Sequence, residues 1–135
     1  MLTEARTDDA RPNRREDMAK YLVLIYGNQR TWDELPAAWH AANAERHQAL
    51  IASAGPAILG VSELEPSTRA VSVRGDASGQ PVVTKGPFHS TPETVGGYYL
   101  LEAPDLDEVI RLASRIPEAT AAHGGVEIRP IADPG

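Results

Sequence analysis

The sequence predicts an α+β fold, an antiparallel sheet with two helices laid on one of its faces, and three observations carry that prediction. Four runs have strand character: Lys20–Tyr26, Ala57–Val61, Tyr98–Leu101 and Val126–Ile128. Two helical stretches separate them, one between the first and second runs and one between the third and fourth. A pair of short extended runs around an Asp76-Ala77-Ser78-Gly79 turn signal falls in the middle of the chain. The order β-α-β, hairpin, β-α-β is the split βαβ arrangement of a ferredoxin-like subunit with an inserted hairpin.

Each element has its own warrant. Lys20–Tyr26 is apolar on both faces, as a central strand covered on both sides would be, and Gly27-Asn28 breaks it. The first helix is alanine-rich from Ala37 to Ala54, with Pro36 preset for its first turn and Gly55 as its stop. Ala57–Val61 extends again. From Thr68 to Arg74 the chain alternates, with Val71 and Val73 on one face, and Val82–Thr84 returns to complete the hairpin. Gly96-Gly97 leads into Tyr98–Leu101. Asp105 caps the second helix while Glu108 reciprocates three residues on. Leu106, Val109, Ile110, Ala113 and Ile116 give that helix a core stripe, and Pro117 ends it. Val126 and Ile128 form a last strand with Glu127 and Arg129 on its other face, and Pro130 closes it. Two helices cover only one sheet face, yet the first strand and Tyr98–Leu101 are apolar on both. The uncovered face calls for a partner, and a homodimer packed sheet to sheet is expected.

The chain of 135 residues is long enough for one core without staples. Five acidic and four basic side chains crowd residues 1–17, too little apolar surface to offset the entropy of ordering. Residues 1–19 are therefore expected as a disordered N-terminal tail, 20–131 as the domain and 132–135 as a short C-terminal tail. The absence of cysteine excludes a disulfide scaffold, a thiolate metal site, an iron–sulfur cluster and a cysteine nucleophile. A net charge of −6 argues against a nucleic-acid partner, which selects for a basic stripe. No apolar run approaches the roughly 20 residues of a membrane span. The N-terminus has no apolar signal region, so a cytoplasmic protein without a membrane partner is expected.

Lys20–Gly27, Pro66-Ser67-Thr68, Gly86-Pro87-Phe88, Gly96-Gly97-Tyr98-Tyr99-Leu100, Pro104–Glu108 and Val126–Pro130 together resemble the DGPF group of YCII-related proteins, in one order across residues 20–131. The resemblance implies a ferredoxin-like subunit in a dimeric α/β barrel. It implies relatives that include cofactor-free enzymes acting on small cyclic molecules, such as dehydrochlorinases, through a His and an Asp. It also implies frequent encoding beside alternative sigma factors. Two positions depart from the pattern. The Asp before Gly-Pro-Phe is Lys85 here, and the helix His, counted eleven residues back from Gly55, falls on Ala44.

Proton chemistry then has to come from other residues. His40 and His47 lie seven apart and bracket Ala44 on one helix face. Imidazole suits acid/base work because its unperturbed pKa is close to neutral. Their spacing matches no zinc pattern, so no metal is expected. Lys85 is a candidate for holding an anionic substrate, or for acting as a base when desolvated. His89 adds a titratable group to the same loop, Phe88 a pocket wall, and Tyr26 a phenol at the end of the first strand. Glu127 and Arg129 share one side of the last strand, where they pair with each other, a partner subunit or a ligand. The expected catalytic residues are thus His47, His40 and Lys85, and the expected substrate-binding residues Tyr26, Phe88, His89, Arg129 and Glu127. Structural roles stay open for each: a solvated helical histidine, an exposed loop lysine, a strand ion pair. Neither a G-x-S-x-G motif nor a phosphate-binding glycine loop is present.

Two functions follow. One is cofactor-free elimination, isomerisation or cyclisation of a small metabolite, cyclic or anionic, in a pocket between sheet and helices. The other is a non-catalytic ligand-binding or regulatory module linked to an alternative sigma factor. One scaffold hosts many activities, so the fold alone does not choose between them.

Overall fold

A computed structural model describes residues 17–133. Most of the expected N-terminal tail, residues 1–16, lies outside the described residues, as do the last two positions of the C-terminal tail. The strand expected from Lys20 begins one residue earlier, as β1 (Ala19–Asn28). It is followed by α1 (Gln29–Glu34) and α2 (Ala37–Ala54). Then come β2 (Ile58–Glu63), the hairpin β3 (Val71–Gly75) and β4 (Pro81–Lys85), and the long β5 (Glu93–Ala103). The chain closes with α3 (Leu106–Ala113) and β6 (Gly124–Pro130).

Four strands form one antiparallel sheet in the order β2-β5-β1-β6, and β3-β4 forms a second sheet of two strands. This is the ferredoxin-like α+β topology with the hairpin set apart. Its reason lies in β1. Tyr21, Val23 and Ile25 point to the helix face and are buried, opposite Leu101, Tyr99 and Gly97 of β5. Leu22, Leu24 and Tyr26 point the other way and stay half-buried. The described helices thus cover one face only, and among the described residues the second face of β1 has no helix over it.

On the covered face the core gathers Val23, Tyr99, Leu101, Val109, Leu112, Ala113 and Ile116 with Leu50 of α2. Asp105 caps α3 by accepting from the Glu108 amide at 2.9 Å, as its spacing predicts. The stripe on α3 is rotated from the expected one. Val109, Leu112, Ala113 and Ile116 are buried, whereas Leu106 and Ile110 are 46% and 45% exposed. Gly55 stops α2 with φ +56°, a conformation that favours glycine.

The sequence reading did not anticipate α1. Asn28 ends the strand and caps this short helix, its side chain accepting from the Thr31 amide at 3.0 Å. The helix places Trp32 across the ends of β1 and β5, its indole filling the space where Gly27 and Gly96 would carry side chains. A methyl group at Gly96 has to push that ring aside. Gly96→Ala is therefore expected to cost about 1–3 kcal/mol of stability, read as a lower urea midpoint, by forcing a packed aromatic out of place.

Candidate functional site

The positions of α2 that face the sheet change character along the helix. Leu50, Ile51 and Ala54 pack on the core, but the turns before them present His40, Asn43, Ala44 and His47. The described side chains leave the space there open, and a cavity of about 680 Å³ remains between this half of α2, α1 and the sheet. Trp32 and Trp39 line it, with Ile25, Gly97 and Tyr99 from the strands and Glu118 from the turn after α3.

One wall is a continuous hydrogen-bonded chain. The Asn43 amide donates to Glu118 Oε2 at 2.9 Å. Glu118 Oε1 lies 2.8 Å from His47 Nε2, and His47 Nδ1 lies 2.6 Å from the Tyr99 hydroxyl. The His47 and Tyr99 rings stack with centroids 5.8 Å apart. Glu118 is buried, with its side chain 8% exposed, and His47 retains 20%.

The protonation pattern follows from these contacts. Burial works to raise the Glu118 carboxyl, but the hydrogen bonds from His47 and Asn43 together outweigh it and hold the group below the ordinary carboxylate value. Glu118 is thus an acceptor near neutral pH, and His47 Nε2 must carry the proton shared with it. Burial pushes the Tyr99 hydroxyl up to about 12, and the Glu118 charge adds to this. Tyr99 therefore keeps its proton and donates to Nδ1. Each of the three contacts thus pairs a donor with an acceptor. Chemically this is an imidazole with one nitrogen oriented by a carboxylate and the other in contact with a hydroxyl, the arrangement that activates a general base.

The structure brings together some of the expected site residues and separates the rest. His40 and His47 both line the cavity on either side of Ala44. His40 Nε2 lies 3.0 Å from the Trp32 carbonyl, joining α1 to α2. Lys85, Phe88 and His89 do not line it. Lys85 ends β4 on the separate hairpin, and Phe88 is 55% exposed with the Arg74 guanidinium 3.7 Å above its ring. Tyr26, Glu127 and Arg129 lie on the sheet face opposite the helices, with Arg129 and Glu127 paired at 3.3 Å. Burial and then the Glu127 carboxylate raise the Tyr26 phenol. Neither group reaches the cavity between sheet and helices, because strand side chains alternate and these point the other way.

Sequence reasoning missed Glu118, Tyr99 and Asn43. Asn43 had a usable signal, lying four residues before His47 on the same helix face. Glu118 had none, since it sits in a short turn, Pro117–Ala119, 71 residues from its partner. Among the described residues no three histidine or acidic side chains come together as a metal ion requires. No described helix is long and apolar enough to cross a membrane.

Fold and site define a ferredoxin-like α+β domain carrying an aromatic and polar cavity between its sheet and its longest helix. The chain belongs to the YCII-related family, whose domain model matches residues 19–133. It is also similar to an uncharacterized protein of Rhizobium meliloti (strain 1021), 33% identical over an alignment of 120 residues that covers 83% of this chain and 91% of that one.

The raised Tyr99 value has a consequence for stability. The folded state holds this proton more tightly than the unfolded chain, whose tyrosines ionise near 10.0, so stability falls as pH rises from there toward about 12. Tyr99→Phe removes the ionisable group. Urea midpoints of the variant should therefore drop less than those of the parent between about pH 9 and about pH 11.5.

Proposed function

We propose that this protein catalyses cofactor-free proton transfer on a small molecule held in the cavity, as an elimination, isomerisation or cyclisation, with His47 as the base. The single observation that supports it is the buried Glu118–His47–Tyr99 chain on the cavity wall. Substrate gives its proton to the Tyr99 oxygen while the Tyr99 proton passes over 2.6 Å to His47 Nδ1. Glu118 stabilises the imidazolium formed and fixes its orientation, a positioning role that Asn43 supports. His40, two turns earlier on the same face, is a second titratable group at the cavity.

A second reading, ligand binding without turnover, has its own support. Both nitrogens of His47 already have partners, and Ala44 and Lys85 stand where the resemblance to the DGPF group places a catalytic His and Asp. We also propose that a second copy covers the half-buried face formed by Leu22, Leu24, Tyr98 and Leu100, as the sheet-to-sheet dimer requires.

Exchange of solvent deuterium into a panel of cyclic ketones and lactones, followed by NMR, tests the chemistry without a known product. His47→Gln keeps approximate size but removes basicity, and exchange should fall by about two orders of magnitude or more. Exchange at the parent rate in that variant, or a compound that binds and never exchanges, would remove the catalytic reading. For the dimer, light scattering should give twice the chain mass at micromolar concentration, and a stable monomer would refute it.

A further inference from the structure

The sequence reading allowed an anionic ligand, and that rested on Lys85, which does not line the cavity. The charges that do line it are of one sign. Asp33, Glu63 and Glu118 contribute carboxylates, and among the described lining residues there is no lysine or arginine. Of the arginines that neighbour lining residues in sequence, Arg30 pairs with Glu34 at 3.5 Å and Arg69 with Glu65 at 3.4 Å, and Arg46, beside His47, is exposed and does not line the cavity. Glu118 is matched by His47 and Asn43, and among the described residues Asp33 receives only the neutral amide of Gln29 at 2.9 Å. Glu63, on the last position of β2, is exposed at the rim.

The apolar part of the lining points the same way. The chain has two tryptophans, and both line this cavity. Trp32 is held by its seat over Gly27 and Gly96, and Trp39 by ring contacts with His40 and His123 at 5.2 and 5.8 Å. Indole faces attract cations, and they do so more strongly than the other aromatic rings. One feature opposes them: the first turn of α2, whose cap Pro36 supplies no side-chain acceptor, carries a partial positive charge of about half a unit. Three carboxylates and a net charge of −6 outweigh it.

Taking the cavity as the ligand site proposed above, we infer that its ligand is a small organic cation, an amine or quaternary ammonium on an apolar body. The indoles of Trp32 and Trp39 take the cationic head and body, and the Asp33 and Glu63 carboxylates supply the counter-charge. A volume of about 680 Å³ lies within the range of ligand pockets and leaves room for such a molecule.

Because both tryptophans sit at the cavity, intrinsic fluorescence of the full chain reads binding there directly. Three probes of similar size separate the outcomes: benzyltrimethylammonium, benzyl alcohol and phenylacetate. The cation is expected to quench the emission and to bind about tenfold more tightly than phenylacetate, with the gap narrowing as salt is raised. Glu63→Gln, a near-isosteric change at an exposed position, should weaken the cation by about two- to fivefold and leave benzyl alcohol unchanged. Phenylacetate or benzyl alcohol binding as tightly as the cation would overturn the charge assignment while leaving the cavity as a ligand site. Failure of all three probes to change the emission would overturn both.

Discussion

Glu118 is a carboxylate taken out of water, and a buried charge left alone costs several kcal/mol. Its match comes from α2, where Asn43 and His47 lie one helical turn apart and reach the two oxygens of the same group. That double contact sets the rotation of α2 about its axis. Once His47 faces the turn after α3, Leu50, Ile51 and Ala54 necessarily face the core, and His40 and Ala44 face the open space before it. The cavity is what remains when a helix is anchored at one end by apolar packing and in its middle by a polar clamp, while Trp39 and His40 ahead of the clamp line the space without filling it. Tyr99 joins the same chain through His47, so the central strand, the long helix and the turn after α3 meet at one imidazole.

The large elements were legible because their signals were redundant. β1 had a two-sided apolar run, α2 had Pro36 and Gly55 at its ends, and α3 had Asp105 with Glu108. The α3 stripe went wrong for a specific reason. Apolar residues at 106, 109, 110, 112, 113 and 116 satisfy helical spacing in two ways, one residue apart, and local pattern does not choose between them. The sheet chooses, by taking Val109, Leu112, Ala113 and Ile116 and leaving Leu106 and Ile110 in solvent. The two helix histidines were readable from spacing, whereas Glu118 becomes significant only after the chain has folded back on itself.

The hairpin is the opposite case, in which residues grouped by their closeness in sequence to a bending motif lie apart from the cavity. Gly86 has φ +114°, its amide bonds the Ala70 carbonyl at 2.7 Å, and its own carbonyl accepts from Ser72 Oγ at 2.7 Å. Gly86-Pro87-Phe88 thus ties the end of β4 back to the start of β3, and Arg74 fixes the Phe88 ring from above and donates to its carbonyl at 2.8 Å. These are tasks of chain direction. They carry Lys85 and His89, the neighbours of the motif, away from the cavity.

The seat of Trp32 over Gly27 and Gly96 bears on how such a sequence can drift. Two bare backbone positions on adjacent strands exist to admit one ring supplied by a third element, so none of the three can change freely while the others stay. A smaller residue in place of the indole would leave a void, and a side chain at either glycine would collide with it. Descendants of this chain should hold all three together or exchange them in company, and a lineage that abandons the tryptophan is released from its glycines as well.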